Sequence, residues 1–104
     1  MKKIIFERSG GFMGRKVSLA LDLDELEPDQ SQAILQMLEE ADFFNMPEEL
    51  LPQEMSDTFL YSISVKIKRQ MHSVRFSDMT VPDTLRPLVE DLSEMARKQR
   101  GIPS

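Results

Sequence analysis

Residues 59–67 alternate without interruption: Phe59, Tyr61, Ile63, Val65 and Ile67 interleave with Leu60, Ser62, Ser64 and Lys66. Only an extended chain sends successive side chains to opposite faces, so this period of two predicts a strand with one face in a core. Lys68-Arg69-Gln70-Met71 reads as the tip of a hairpin, after which His72, Val74 and Phe76 share one face of a return strand, with Ser73 and Arg75 on the other. A second pair of the same kind precedes it. Lys3 to Ser9 opens with Ile4-Ile5-Phe6, and Ser9 to Gly14 holds three glycines in six residues. Val17, Leu19, Leu21 and Leu23 then alternate with Lys16, Ser18, Ala20 and Asp22. The chain is committed to two hairpins.

Each hairpin leads into a helical pattern. Asp24-Glu25-Leu26-Glu27-Pro28-Asp29 forms the entry to a first helix, with Pro28 near its first position and acids at its positive end. Ala33, Ile34, Met37, Leu38 and Ala41 carry the helical period to about Asp42, and Phe43 and Phe44 then turn toward the core. Asn45 to Asp57 contains two prolines and four acids and reads as a long connection, with a helical turn expected at Glu48–Leu51. Its Met46, Leu50, Leu51 and Met55 are expected to close the bottom of the core. After a turn at Asp78–Asp83, a second apolar stripe runs through Leu85, Leu88, Val89, Leu92, Met95 and Ala96. Pro87 has no N–H and belongs in the first turn, which makes Thr84 the expected N-cap.

The expected fold is therefore α+β, in the order ββαββα. One four-stranded, largely antiparallel sheet with two helices on one face would bury every one of these stripes. The opposite face would present Ser18, Ala20, Ser62, Ser64, Lys66, Ser73 and Arg75. Residues 1–100 are expected to form a single domain, and 101–104 a frayed C-terminal tail.

Charge and chemistry narrow the function. The net charge of −5 is uneven: +4 over residues 1–16, −12 over residues 17–65, which hold no Lys or Arg, and +3 over residues 66–104. An acidic chain lacks the clustered cations that phosphate neutralisation requires, and Lys66, Lys68, Arg69 and Arg75 beside Tyr61 and His72 read as a solvated hairpin. No nucleic acid is expected as a partner. Nor is a membrane, since no apolar run approaches the ~18 residues of a span. There is no Cys, and His72 is the only histidine, so neither a thiolate nor a histidine metal site is available. Asp22-Leu23-Asp24 does not develop into a calcium loop, and no phosphate loop or nucleophile elbow occurs. An enzyme is not expected, and no catalytic residue, metal or cofactor is assigned. The absence of Cys and of a signal-peptide pattern points to the cytoplasm, and the charge to a monomer when free.

One segment remains unabsorbed by the fold. Phe12 and Met13 are large apolar residues on the glycine-rich link between the first two strands. Either Phe12 folds back as a lid on the sheet edge, or the link presents an apolar anchor to a partner.

Several segments, in order, resemble the emfourin family of small bacterial proteins, the protealysin-inhibitor group. They are Glu7-Arg8-Ser9-Gly10-Gly11-Phe12, Met13-Gly14-Arg15, the strand from Val17 to Leu23 with its acidic Leu-Glu-Pro turn, and Ala41-Asp42-Phe43-Phe44-Asn45-Met46-Pro47. Asp57-Thr58-Phe59-Leu60-Tyr61 and Pro82-Asp83-Thr84-Leu85-Arg86-Pro87-Leu88 complete the set. The resemblance implies a protein inhibitor of thermolysin-like zinc metalloproteases that blocks the active-site cleft through a reversible complex. Gly10, Gly11, Phe12 and Met13 are then the expected binding residues, with a bulky side chain entering the apolar pocket beside the zinc. Glu48, Glu49 and Asp57 form a second candidate surface that would bring a carboxylate toward the metal. The competing expectation is a regulatory adaptor that binds another cytoplasmic protein through its sheet face or acidic loop.

Overall fold

A computed structural model describes residues 2–10, 16–50 and 59–100. The elements are β1 (Lys2–Gly10), β2 (Val17–Asp22), α1 (Pro28–Glu40), β3 (Glu49–Leu50), β4 (Phe59–Ile67), β5 (Gln70–Ser77) and α2 (Arg86–Arg100). The strands form one sheet in the order β2-β1-β4-β5-β3. β1 is antiparallel to both β2 and β4, pairing Phe6 with Leu19 on one side and with Ile63 on the other. β4 is antiparallel to β5, with Ile63 opposite Val74.

The α+β expectation holds, and the strand count is corrected. The sheet has five strands and is mixed, because β3 adds to β5 in parallel, with Glu49 opposite Arg75 and Leu50 opposite Phe76. Two residues cannot display a period, and a helical turn had been expected there. The conformation follows from the edge of β5, which among the described residues has β3 as its strand partner on that side. The Arg75 N–H donates to the Glu48 carbonyl at 2.8 Å, and the Arg75 guanidinium pairs with the Glu49 carboxylate.

Alternation along the strands sorts the side chains as expected. Ile4, Phe6, Val17, Leu19, Ile63, Val65, Val74 and Phe76 are buried beneath Ile34 and Leu38 of α1 and Leu88, Leu92 and Ala96 of α2, in one continuous core. Phe43 completes it, while Phe44, Met46 and Leu50 pack against it half-buried. Ser18, Ala20, Lys66 and Arg75 lie exposed on the opposite face, with Ser62, Ser64 and Ser73 half-buried among them. Ser64 and Ser73 face each other across β4 and β5 with their hydroxyls 2.7 Å apart. His72 is held between elements: its Nε2 lies 2.8 Å from the Met46 carbonyl, and its ring meets Phe43 edge-on at 5.5 Å.

Two local expectations need correction. The hairpin tip is the two-residue turn Lys68-Arg69, since Gln70 and Met71 already pair with Ile67 and Lys66. Thr84 is not an N-cap; it lies inside a 3-10 turn, Asp83–Leu85, in which the Leu85 N–H donates to the Pro82 carbonyl at 2.9 Å. That tighter turn seats Leu85 fully in the core before α2 begins at Arg86, with Pro87 in its first turn as expected. At the end of α1, Asp42 adopts the left-handed conformation (φ 53°, ψ 49°), a common way of stopping a helix, and its Oδ1 accepts from Asn45 Nδ2 at 2.8 Å. Leu51, Met55 and the 101–104 tail lie outside the described residues.

Candidate functional site

β1 ends at Gly10, whose φ of 97° only glycine adopts without strain. Gly10 pairs with Phe59, the first residue of β4. The link bearing Gly11, Phe12 and Met13 therefore departs, and the connection bearing Asp57 arrives, at one register pair. β3 also points to this end of the sheet, because Leu50 lies in the same cross-strand row as Phe76, Tyr61, Arg8 and Val17. The strand ends that flank both candidate segments thus lie at a single end of the sheet, an arrangement that sequence spacing does not disclose.

The core side of the sheet at this end is aromatic. Tyr61 stacks on Phe76 with centroids 5.4 Å apart and planes 16° from parallel, and Phe6 lies 6.0 Å from Tyr61. Beyond that row the Arg8 guanidinium sits over the Phe59 ring at 5.1 Å. On the open face Glu7 meets Lys16 at 3.7 Å, which joins β1 to the residue preceding β2. Glu7, Ser9, Lys16, Leu60, Ser62 and Arg75 line a shallow depression of about 220 Å³ there.

Two apolar side chains stand out at this end. Phe59 is 37% exposed and Met79 is 73% exposed. A compact turn holds the second near the first. The Asp78 N–H donates to the Phe59 carbonyl at 3.2 Å, the Ser77 N–H donates to Thr80 Oγ1 at 2.9 Å, and the Met79 N–H donates to Ser77 Oγ at 3.1 Å. Neither residue was a candidate from sequence. Phe59 looked like one more inward position of an alternating strand, but β4 outruns its cover at that end. The available signal for Met79 was a large apolar residue inside the polar turn Ser77-Asp78-Met79-Thr80.

Of the sequence candidates, Gly10 is the terminal residue of β1, while Gly11, Phe12, Met13 and Asp57 lie outside the described residues. Glu48 is exposed, and its carbonyl is occupied by Arg75. Glu49 is exposed but ion-paired to Arg75 across β3 and β5, so its carboxylate is already answered within the chain. Among the described residues no group of three or more His, Asp or Glu side chains could hold a metal ion, and no helix is long and apolar enough to cross a membrane.

A sequence model of the family described as Emfourin matches residues 6–93, a span that includes every candidate residue above. No curated protein matches the chain. No solved structure matches it.

Proposed function

The chain belongs to the Emfourin family, and from that premise we propose that it is a protein inhibitor of thermolysin-like zinc metalloproteases, of the protealysin type. It blocks the active-site cleft in a reversible complex and performs no chemistry of its own. The observation that carries the binding surface is the Gly10–Phe59 pair, which attaches the Phe12–Met13 link and the Asp57 connection to one end of a braced sheet. Around it Phe59 and Met79 add exposed apolar area beside Arg8. A cluster of aromatic, Met and Arg side chains with exposed apolar surface has the composition of a binding anchor.

In mechanism, Phe12 or Met13 fills the apolar pocket beside the zinc while neighbouring backbone groups pair with the cleft as an added strand. Anchorage on a sheet lowers the ordering entropy lost on binding and slows dissociation. Because Arg75 neutralises Glu49, a carboxylate approaching the zinc is better supplied by Glu48 or Asp57. The test is a titration of a purified thermolysin-like protease with the protein, followed by cleavage of a fluorogenic peptide, with a serine protease as control. Selective loss of metalloprotease activity supports the proposal. Full activity of several such enzymes at excess protein overturns it and favours the adaptor reading.

A further inference from the structure

The two edges of the sheet are unequal. On one side β3 covers Glu49–Leu50 among the described residues and carries the Glu49–Arg75 ion pair, and charged side chains on an edge strand resist further pairing. On the other side β2 runs for six residues, Val17–Asp22, and among the described residues its strand pairing goes to β1 alone. It contains no proline and no inward-pointing charge. Its open-face residues Ser18 and Ala20 are exposed and small, and Leu21 on the core side is only partly buried. A strand in this state is a template for another strand.

The charges along β2 indicate which strand. Lys16 and Asp22 bracket it, six positions apart and on the same face as Ser18 and Ala20. The Lys16 side chain is 65% exposed and, among the described residues, its ion pair is the 3.7 Å contact to Glu7, while Asp22 uses Oδ1 to accept from the Asp24 N–H at 3.0 Å. If two copies of β2 pair antiparallel about a two-fold axis through Leu19, Val17 falls opposite Leu21, Ser18 opposite Ala20, and Lys16 opposite Asp22. A one-residue slip would turn one copy's core face to the other's open face, which the buried stripe forbids. The neighbouring in-phase registers set Lys16 opposite Ala20, or opposite Asp24, which lies beyond the strand in the 3-10 turn Leu23–Glu25. Only the Leu19 register sets Lys16 opposite an acid that belongs to the extended strand, Asp22, at both ends, and each symmetric contact is made twice.

We propose that this edge is a self-association surface: two copies pair through β2, with Leu19 on the axis and reciprocal Lys16–Asp22 ion pairs, to form one continuous ten-stranded sheet. This departs from the free monomer expected from the overall charge. The repulsion between two chains of net charge −5 makes the dimer a weak and concentration-dependent one.

The test is the solution mass of the whole chain by sedimentation or light scattering, at concentrations up to about 1 mM, the weak end of specific association. A mass rising toward twice 12.0 kDa is expected. Lys16→Asp and Asp22→Lys each place like charges opposite one another and should raise the dissociation constant by about tenfold or more. Mixing the two variants restores both ion pairs, so a heterodimer should form although neither variant self-associates. That readout survives any local effect of losing the Asp22 cap, because recombination requires both chains to be folded. A chain that stays monomeric, a dimer indifferent to Lys16→Asp, or variants that fail to recombine would each overturn the proposal. In the first case the edge is left to an extended segment of another protein.

Discussion

The Arg8 guanidinium lies 5.1 Å from the centre of the Phe59 ring, on strands that are direct neighbours in the sheet. This contact holds a partly exposed aromatic ring at the point where β1 ends and β4 begins. Phe59→Ala should therefore separate stability from binding. Thermal unfolding should shift only modestly, because the ring is already partly solvated. Inhibition of a thermolysin-like protease should weaken by about tenfold, the effect of losing about 1.4 kcal/mol of an apolar anchor. Equal loss of stability and inhibition would make Phe59 a structural residue.

Phe12→Ala and Met13→Ala address the glycine-rich link directly. At least one should raise the inhibition constant by tenfold or more, on the order of a binding hot spot, with the circular dichroism spectrum unchanged. If both stay within about a factor of two, a change too small for an anchor, the link is not the inserted element. Loss of the folded spectrum would identify Phe12 as a lid on the sheet.

Glu49→Gln removes the ion pair to Arg75 while leaving the β3–β5 backbone pairing available. Both side chains are more than half exposed (59% and 56%), so the expected loss of stability is below about 1 kcal/mol, and smaller still in high salt. Inhibition should be unchanged within measurement error. A large drop would mean that Glu49, despite its partner in the chain, contributes to the complex.

Lys68 occupies the β4–β5 turn with φ 56°, a region costly for a residue with a Cβ. Lys68→Gly should stabilise the protein by about 0.5–1 kcal/mol, the strain relieved less the greater freedom glycine brings to the unfolded chain. Urea denaturation with an unchanged m-value would verify this. A loss of stability would show that the Lys68 side chain makes contacts worth more than the strain.

Phe76→Ala removes a fully buried ring stacked on Tyr61. The expected loss is about 3–5 kcal/mol, a large share of the 5–15 kcal/mol that separates folded from unfolded chains. Chemical denaturation would measure it, and a loss under about 1 kcal/mol would mean that the core closes around the vacated space.

Much of the fold was legible in the residue pattern, and the candidate site much less so. The alternation from Phe59 to Ile67 and from Val17 to Leu23 determined two hairpins and which faces they bury. The stripes at Ile34–Leu38 and Leu88–Ala96 determined two helices, and the absence of Cys and of any second histidine removed whole classes of chemistry. These are local properties, repeated often enough to emerge from a single chain. The pairing of β3 with β5 was decided elsewhere, because two residues carry no period and their conformation follows from the edge that Arg75 presents. The 3-10 entry to α2 was set by the need to seat Leu85 in the core rather than by the capping preference of Thr84. Gly10 and Phe59 are far apart in sequence, and their side-by-side placement depends on sheet order and register. So does the exposure of Phe59 and Met79. A residue's own chemistry is written in the chain, but which residues share a surface is set by long-range strand pairing, and that only the folded sheet supplies.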